Sequence, residues 1–250
     1  MGTFQIPDIP DDDVQPMKPD LRWMTTMLAI ILGICIFTFG LFYCFSYFVI
    51  SNFSLDQEKK YFGEVDILGK ETPFDFSKLS YQVTLPQNIE VLVVESKEIN
   101  AFASIGGKVL FTTEILKNFK NEEEFLFILG HEIEHIKNRD PLKSYSFHMP
   151  IYLTFLVLGM DMGIEVKRIE SISRPYMSRQ VELASDIGGI GLVKKYGGNT
   201  RCILPFFEEP TSLFEKYFMV TSTHPTNQAR VEQIIKMGSE DEKNCREWKY

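Results

Sequence analysis

From Trp23 to Ile50 the chain carries no charged residue and is filled with Ile, Leu and Phe. A run of that length can cross a bilayer with some tilt, and Trp23, Tyr43 and Tyr47 suit the two interfaces. It starts too late and continues too long for a cleaved signal peptide. We therefore expect a transmembrane helix over residues 23–50. Lys18 and Arg22 before it balance Lys59 and Lys60 after it, which leaves the orientation open. Residues 1–20, with Pro7, Pro10, Pro16, Pro19 and the run Asp11-Asp12-Asp13, predict a disordered acidic tail.

Beyond the anchor the pattern changes. Mixed charge predicts a linker helix from Phe53 to about Leu68, and Pro73 and Pro86 mark residues 71–87 as irregular. Ile89 to Glu95 reads as a strand, Asn100 to Ser104 as a second short one, and Val109 to Thr112 as a third after the Gly106-Gly107 turn. Asn121 is an N-cap, and Glu122, Glu123 and Glu124 place negative charge at a helix start, as a solvated first turn. Phe125, Ile128, Leu129, Ile133 and Ile136 then recur at helical spacing until Pro141 stops the helix.

A second apolar run, Met149 to Met160, is short for a spanning helix; core helix, re-entrant segment and membrane-dipping helix all fit it. Gln180 to Tyr196 predicts another helix closed by Gly197-Gly198. The small residues Gly188-Gly189-Ile190-Gly191 inside it favour close helix packing over phosphate binding. Thr226 to Met237 predicts a last helix, and 238–250 a solvated charged tail. The expected fold is α+β and mainly helical with a small sheet. The expected domain spans residues 89–237, joined to its anchor by a linker over 53–88.

Composition narrows the function. A net charge of −8 over 250 residues argues against nucleic acid as a partner. The four cysteines, Cys35, Cys44, Cys202 and Cys245, form no C-x-x-C pair and predict neither a disulfide framework nor a zinc knuckle.

The chemistry lies in His131-Glu132-Ile133-Glu134-His135, an H-E-x-x-H inside the helix after Asn121. Residues four apart share a helix face, so His131 and His135 can present two imidazoles to one metal ion with Glu132 beside them as general base. A catalytic zinc site needs a third protein ligand. His148, His224 and a carboxylate are the candidates. His148 has no motif around it, and Glu182 is the better choice. Glu182 and Asp186 lie four apart on a predicted helix, so one carboxylate can bind the metal while the other accepts the N–H of a ligand histidine.

Taken together these motifs resemble the zinc peptidases that include the HtpX-type membrane proteases and the CAAX prenyl endopeptidases. The resemblance covers roughly residues 85–237. It rests on Asn100-Ala101-Phe102-Ala103 followed by Gly106-Gly107, on H-E-x-x-H, on His135-Ile136-Lys137-Asn138-Arg139-Asp140, on Ser178-Arg179…Glu182…Asp186, and on Thr223-His224-Pro225 with Arg230. Ser185 stands where the family often has Ala, and the multi-pass topology of the HtpX type does not carry over.

The resemblance implies a zincin-like metalloprotease domain holding one Zn2+ per chain on His131, His135 and Glu182. It implies Glu132 as base, His224 near the metal as an aid to the oxyanion, and Asp186, Arg230 and Asn138 as supporting residues. The Asn100–Ala103 strand can offer its edge to an extended peptide. The expected activity is that of a membrane-anchored, single-pass zinc endopeptidase acting on membrane or misfolded proteins, with the lipid bilayer as its other partner. The alternative is a catalytically silent or gated zinc-binding scaffold, which would have no need for Glu132. An aminopeptidase would show a shorter gap between His135 and Glu182.

Overall fold

The computed structural model describes residues 21–63, 70–144, 179–204, 232, 235–237 and 244–250. The N-terminal tail, the second apolar run, His148, His224, Arg230 and most of the predicted last helix lie outside them.

Helix α1 spans Leu21–Asn52. Its large apolar side chains, Trp23, Phe37 and Phe48 among them, point outward without a protein surface to cover them. Thr25, Thr26 and Thr38 turn their hydroxyls onto carbonyls of the preceding turn, which hides their polarity. Among the described residues it is the one helix long and apolar enough to cross a membrane. After Phe53 the direction is reset by Ser54, which forms a reciprocal capping box with Gln57 and opens α2, Leu55–Phe62. This helix is shorter than the linker helix the sequence suggests, ending where the N–H of Gly63 bonds the Lys59 carbonyl.

Four strands form one sheet: β1 Glu71–Pro73, β2 Glu90–Val94, β3 Ala101–Ser104 and β4 Lys108–Thr112. Their order is β1-β2-β4-β3, with β2 and β4 parallel and both outer pairs antiparallel. Strand β1 occupies a stretch expected to be irregular. Its Pro73 is tolerated because β1 lies at a sheet edge. Thr112 ends β4 and also caps an unforeseen short helix, α3 Thr113–Asn118, by accepting from the Ile115 N–H.

Helix α4, Glu122–Lys137, runs through the centre of the domain. Phe125, Leu126, Phe127, Ile128 and Leu129 are all fully buried, so the helix is enclosed on every side. The sheet covers one flank, and α5, Arg179–Lys195, crosses another. At that crossing a Cβ on Gly130 would sit 2.7 Å from Leu192 Cβ and 2.8 Å from the Gly188 carbonyl oxygen, and one on Gly189 would sit 2.7 Å from Phe127. The two backbones therefore touch, as the small residues of α5 suggested.

Three expectations fail around the start of α4. The glutamates of its first turn are buried, at 0–1% exposure, because each has a donor waiting. Glu122 accepts from the Ser80 N–H and hydroxyl, Glu123 from the Tyr81 hydroxyl and the Arg246 N–H, and Glu124 from the Lys120 N–H and the Asn121 amide. The end of the chain, though mostly exposed over residues 244–250, is docked on the domain and not a free tail. Glu247 bridges to Asn121, the Trp248 indole donates to the Leu116 carbonyl, and Trp248 and Tyr250 stack against Phe125 and Phe74. The cysteines do pair, since Cys202 and Cys245 form a disulfide that fastens this segment. It carries no local motif because its partners are 43 positions apart.

Candidate metal centre

His131 and His135 lie one turn apart on the buried face of α4, with their Nε2 atoms 3.1 Å from each other. From the first turns of α5, Glu182 brings one carboxylate oxygen to 3.6 Å from His131 Nε2 and the other to 3.8 Å from His135 Nε2. The three donors lie within 4.8 Å of one another, and all three side chains are buried.

The outer ring nitrogens are held by carboxylates. His131 Nδ1 lies 3.1 Å from Asp186 Oδ1, and His135 Nδ1 lies 3.0 Å from Asp140 Oδ2. A carboxylate accepts only, so each Nδ1 carries the hydrogen and each Nε2 presents a lone pair. Two lone pairs and a carboxylate converging in a buried space repel one another unless a cation sits among them. The donor set therefore fits a divalent metal of zinc type, bound by imidazole and carboxylate. The field around His135 is negative and favours positive charge there, whether a proton or a metal ion. Burial disfavours its charged form, but the Asp140 hydrogen bond and the charges of Glu132, Glu182 and Asp140 outweigh that and raise its pKa.

Glu132 is buried beside the ligands, and its Oε2 accepts the Ala103 N–H at 2.8 Å. This bond joins the candidate base to β3, the last strand of the sheet among the described residues. On that strand Asn100 and Ala101 are buried and Phe102 and Ala103 half-buried.

The structure thus brings together His131, Glu132, His135, Glu182, Asp186 and the Asn100–Ala103 strand. Asn138 sits apart from the imidazoles as the cap of α4, its N–H bonded to the Glu134 carbonyl. The carboxylate on His135 belongs to Asp140, a residue the sequence reading passed over although it closes the His135–Asp140 motif. Ser185, which in the sequence stands out only as a departure from the usual Ala, is a second partner, with its Oγ 3.2 Å from His135 Nδ1.

The sequence profile of peptidase family M48 matches residues 76–237, which include the whole constellation. The chain belongs to peptidase family M48. Within the family it is similar to the mitochondrial metalloendopeptidase OMA1 of Arabidopsis thaliana, at 26% identity over 56% of this chain and 30% of that protein. It is likewise similar to the mitochondrial metalloendopeptidase OMA1 of Homo sapiens, at 28% identity over 60% of this chain and 32% of that protein. For the one of Danio rerio the figures are 27%, 59% and 35%. The matched region spans about a third of the length of these relatives. An M48 member with this α+β domain is a metallopeptidase by family, and its site holds the ligand set that such chemistry requires.

Proposed function

We propose that the protein is a membrane-anchored zinc endopeptidase that cleaves membrane or misfolded proteins, with zinc held by His131, His135 and Glu182. The reading rests on one juxtaposition. Glu132, next to the ligands, is hydrogen bonded to the backbone of β3, the last strand of the sheet among the described residues. An extended peptide bound alongside β3 would pass close to the base. Asn100 Oδ1, buried without a hydrogen-bond partner, offers an acceptor at the start of the same strand.

Zinc, when bound, supplies a Lewis acid that acidifies water and polarises a carbonyl. The chain supplies the rest. Asp186 and Asp140 keep both histidines in the tautomer that exposes Nε2. Glu132 takes the proton of the attacking water and passes it to the leaving amine. By the resemblance, His224 is the residue to assist the oxyanion and Arg230 the one to support it. The unshielded α1 supports insertion in a bilayer, and the Cys202–Cys245 disulfide supports a catalytic domain on an oxidising side of that membrane.

The complete burial of Glu132 and the ligands also favours a gated enzyme, because a peptide reaches them only if the site opens. Casein digestion by detergent-purified protein with added zinc tests both ideas. Zinc-dependent internal fragments from wild type, absent with Glu132→Gln, are the expected result. Stoichiometric zinc binding without cleavage by either protein would instead identify a closed protease or a scaffold.

A further inference from the structure

Asp140 reaches His135 by an unusual route. Had α4 continued as a helix, the fifth residue after His135 would lie about 140° around the axis and about 7.5 Å along it, out of reach of the ring. The chain is redirected at Arg139, whose φ of 63° is left-handed. Helices commonly end in that conformation, but with Gly or Asn; for a residue with a larger side chain it is disfavoured.

The Arg139 side chain shows what holds it there. Its guanidinium lies 2.8 Å from Glu58 Oε2 and donates to the Phe53 carbonyl at 3.0 Å. Glu58, on α2, is 3% exposed, and its other oxygen accepts the Gly106 N–H at 3.0 Å. Gly106 is itself tightly seated, since a Cβ there would meet the backbone of Phe62 and Gly63 at 2.9 Å. Phe62 also packs with Ile105 and Leu142 in a small apolar cluster beside the pair. The Glu58 carboxylate thus ties together the exit from the membrane helix, the β3–β4 turn and the end of the metal-binding helix.

We propose that Glu58 is a positioning residue for the metal centre: by clamping the Arg139 guanidinium it holds Arg139 left-handed, and so keeps Asp140 on His135 Nδ1. The proposal rests on the assignment of His131, His135 and Glu182 as metal ligands.

Glycine substitution separates this from a merely structural ion pair, because Gly adopts the left-handed conformation without help. Full-length protein in detergent is titrated with zinc against a competing chelator, and the visible spectrum of its cobalt(II) form is recorded. Arg139→Ala and Glu58→Gln should each weaken zinc binding about tenfold and shift the cobalt bands. Arg139→Gly, alone or combined with Glu58→Gln, should restore both. Burial raises the Glu58 pKa against the pull of Arg139, and the double variant also removes the unpaired carboxylate that Arg139→Gly leaves. Wild-type affinity in Arg139→Ala and Glu58→Gln would overturn the proposal. So would an Arg139→Gly protein as weak as Arg139→Ala, whatever the stability of either. A wild-type chain that bound neither metal would remove the ligand assignment itself and the proposal with it.

Discussion

The two ends of α4 carry the same kind of residue to opposite purposes. Glu122, Glu123 and Glu124 at its start and Glu132 further along are all at most 1% exposed. At the start, the carboxylates meet backbone N–H groups and hydroxyls from Ser80, Tyr81, Lys120 and Arg246, and they hold distant segments together. Toward the end, Glu132 and the carboxylates of Asp140, Glu182 and Asp186 surround two imidazoles, an arrangement suited to the proposed proton transfer and cation binding. Burial alone does not distinguish structure from chemistry here; the identity of the facing groups does.

The comparison breaks most visibly at Glu132. Glu132→Gln should lower the cleavage rate by ~10²–10⁴, or roughly 3–5 kcal/mol of barrier, with zinc content and melting temperature unchanged. Glu123→Ala should do the reverse. It strands the Tyr81 hydroxyl and the Arg246 N–H, costing about 2–4 kcal/mol of stability and several degrees of melting temperature, while zinc affinity stays as in wild type.

Glu124 refines the contrast through pH. Burial, only partly offset by the Lys120 N–H, raises its pKa from 4.5 to about 7. Between those values the native chain holds a proton that the unfolded chain has released. Stability should therefore fall as pH rises through this window and level off above about 7. Denaturant titrations across that range should show a total fall of roughly 3 kcal/mol, and Glu124→Gln should flatten it. A slope left intact would show that other groups carry the dependence.

At the metal end, Asp186→Asn and Asp140→Asn should each weaken zinc binding ~10–100-fold with little change in melting of the zinc-free protein. Loss of stability without loss of affinity would place these two aspartates with the structural glutamates.

The sequence reveals the parts of the site that obey helix periodicity. His131, Glu132 and His135 share one helix, Glu182 and Asp186 another, and the glycines of α5 signal where the two helices meet. What it hides depends on pairs of distant residues or on a break in periodicity. Asp140 lies beyond a left-handed residue, where helical spacing no longer applies. The first-turn glutamates resemble a solvated helix start until Ser80 and Tyr81, 42 positions earlier, and Arg246, 123 positions later, are folded onto them. Cys202 and Cys245 lack any local pattern, and Trp248 and Tyr250 stack on the outside of a core that includes Phe74 and Phe125.

The contact between Gly130 and Gly188-Gly189 acts as a fixed gauge for the jaw that the proposed metal would occupy. Elsewhere in a core, side chains absorb small errors by changing rotamer. Here main chain abuts main chain, and there is nothing to adjust. Metal–ligand distances tolerate only about 0.2 Å, so a single added methyl group would open the jaw beyond its working width. The spacing between the histidines and Glu182 is thereby insulated from sequence drift in the surrounding core, and open to change only through the glycines themselves.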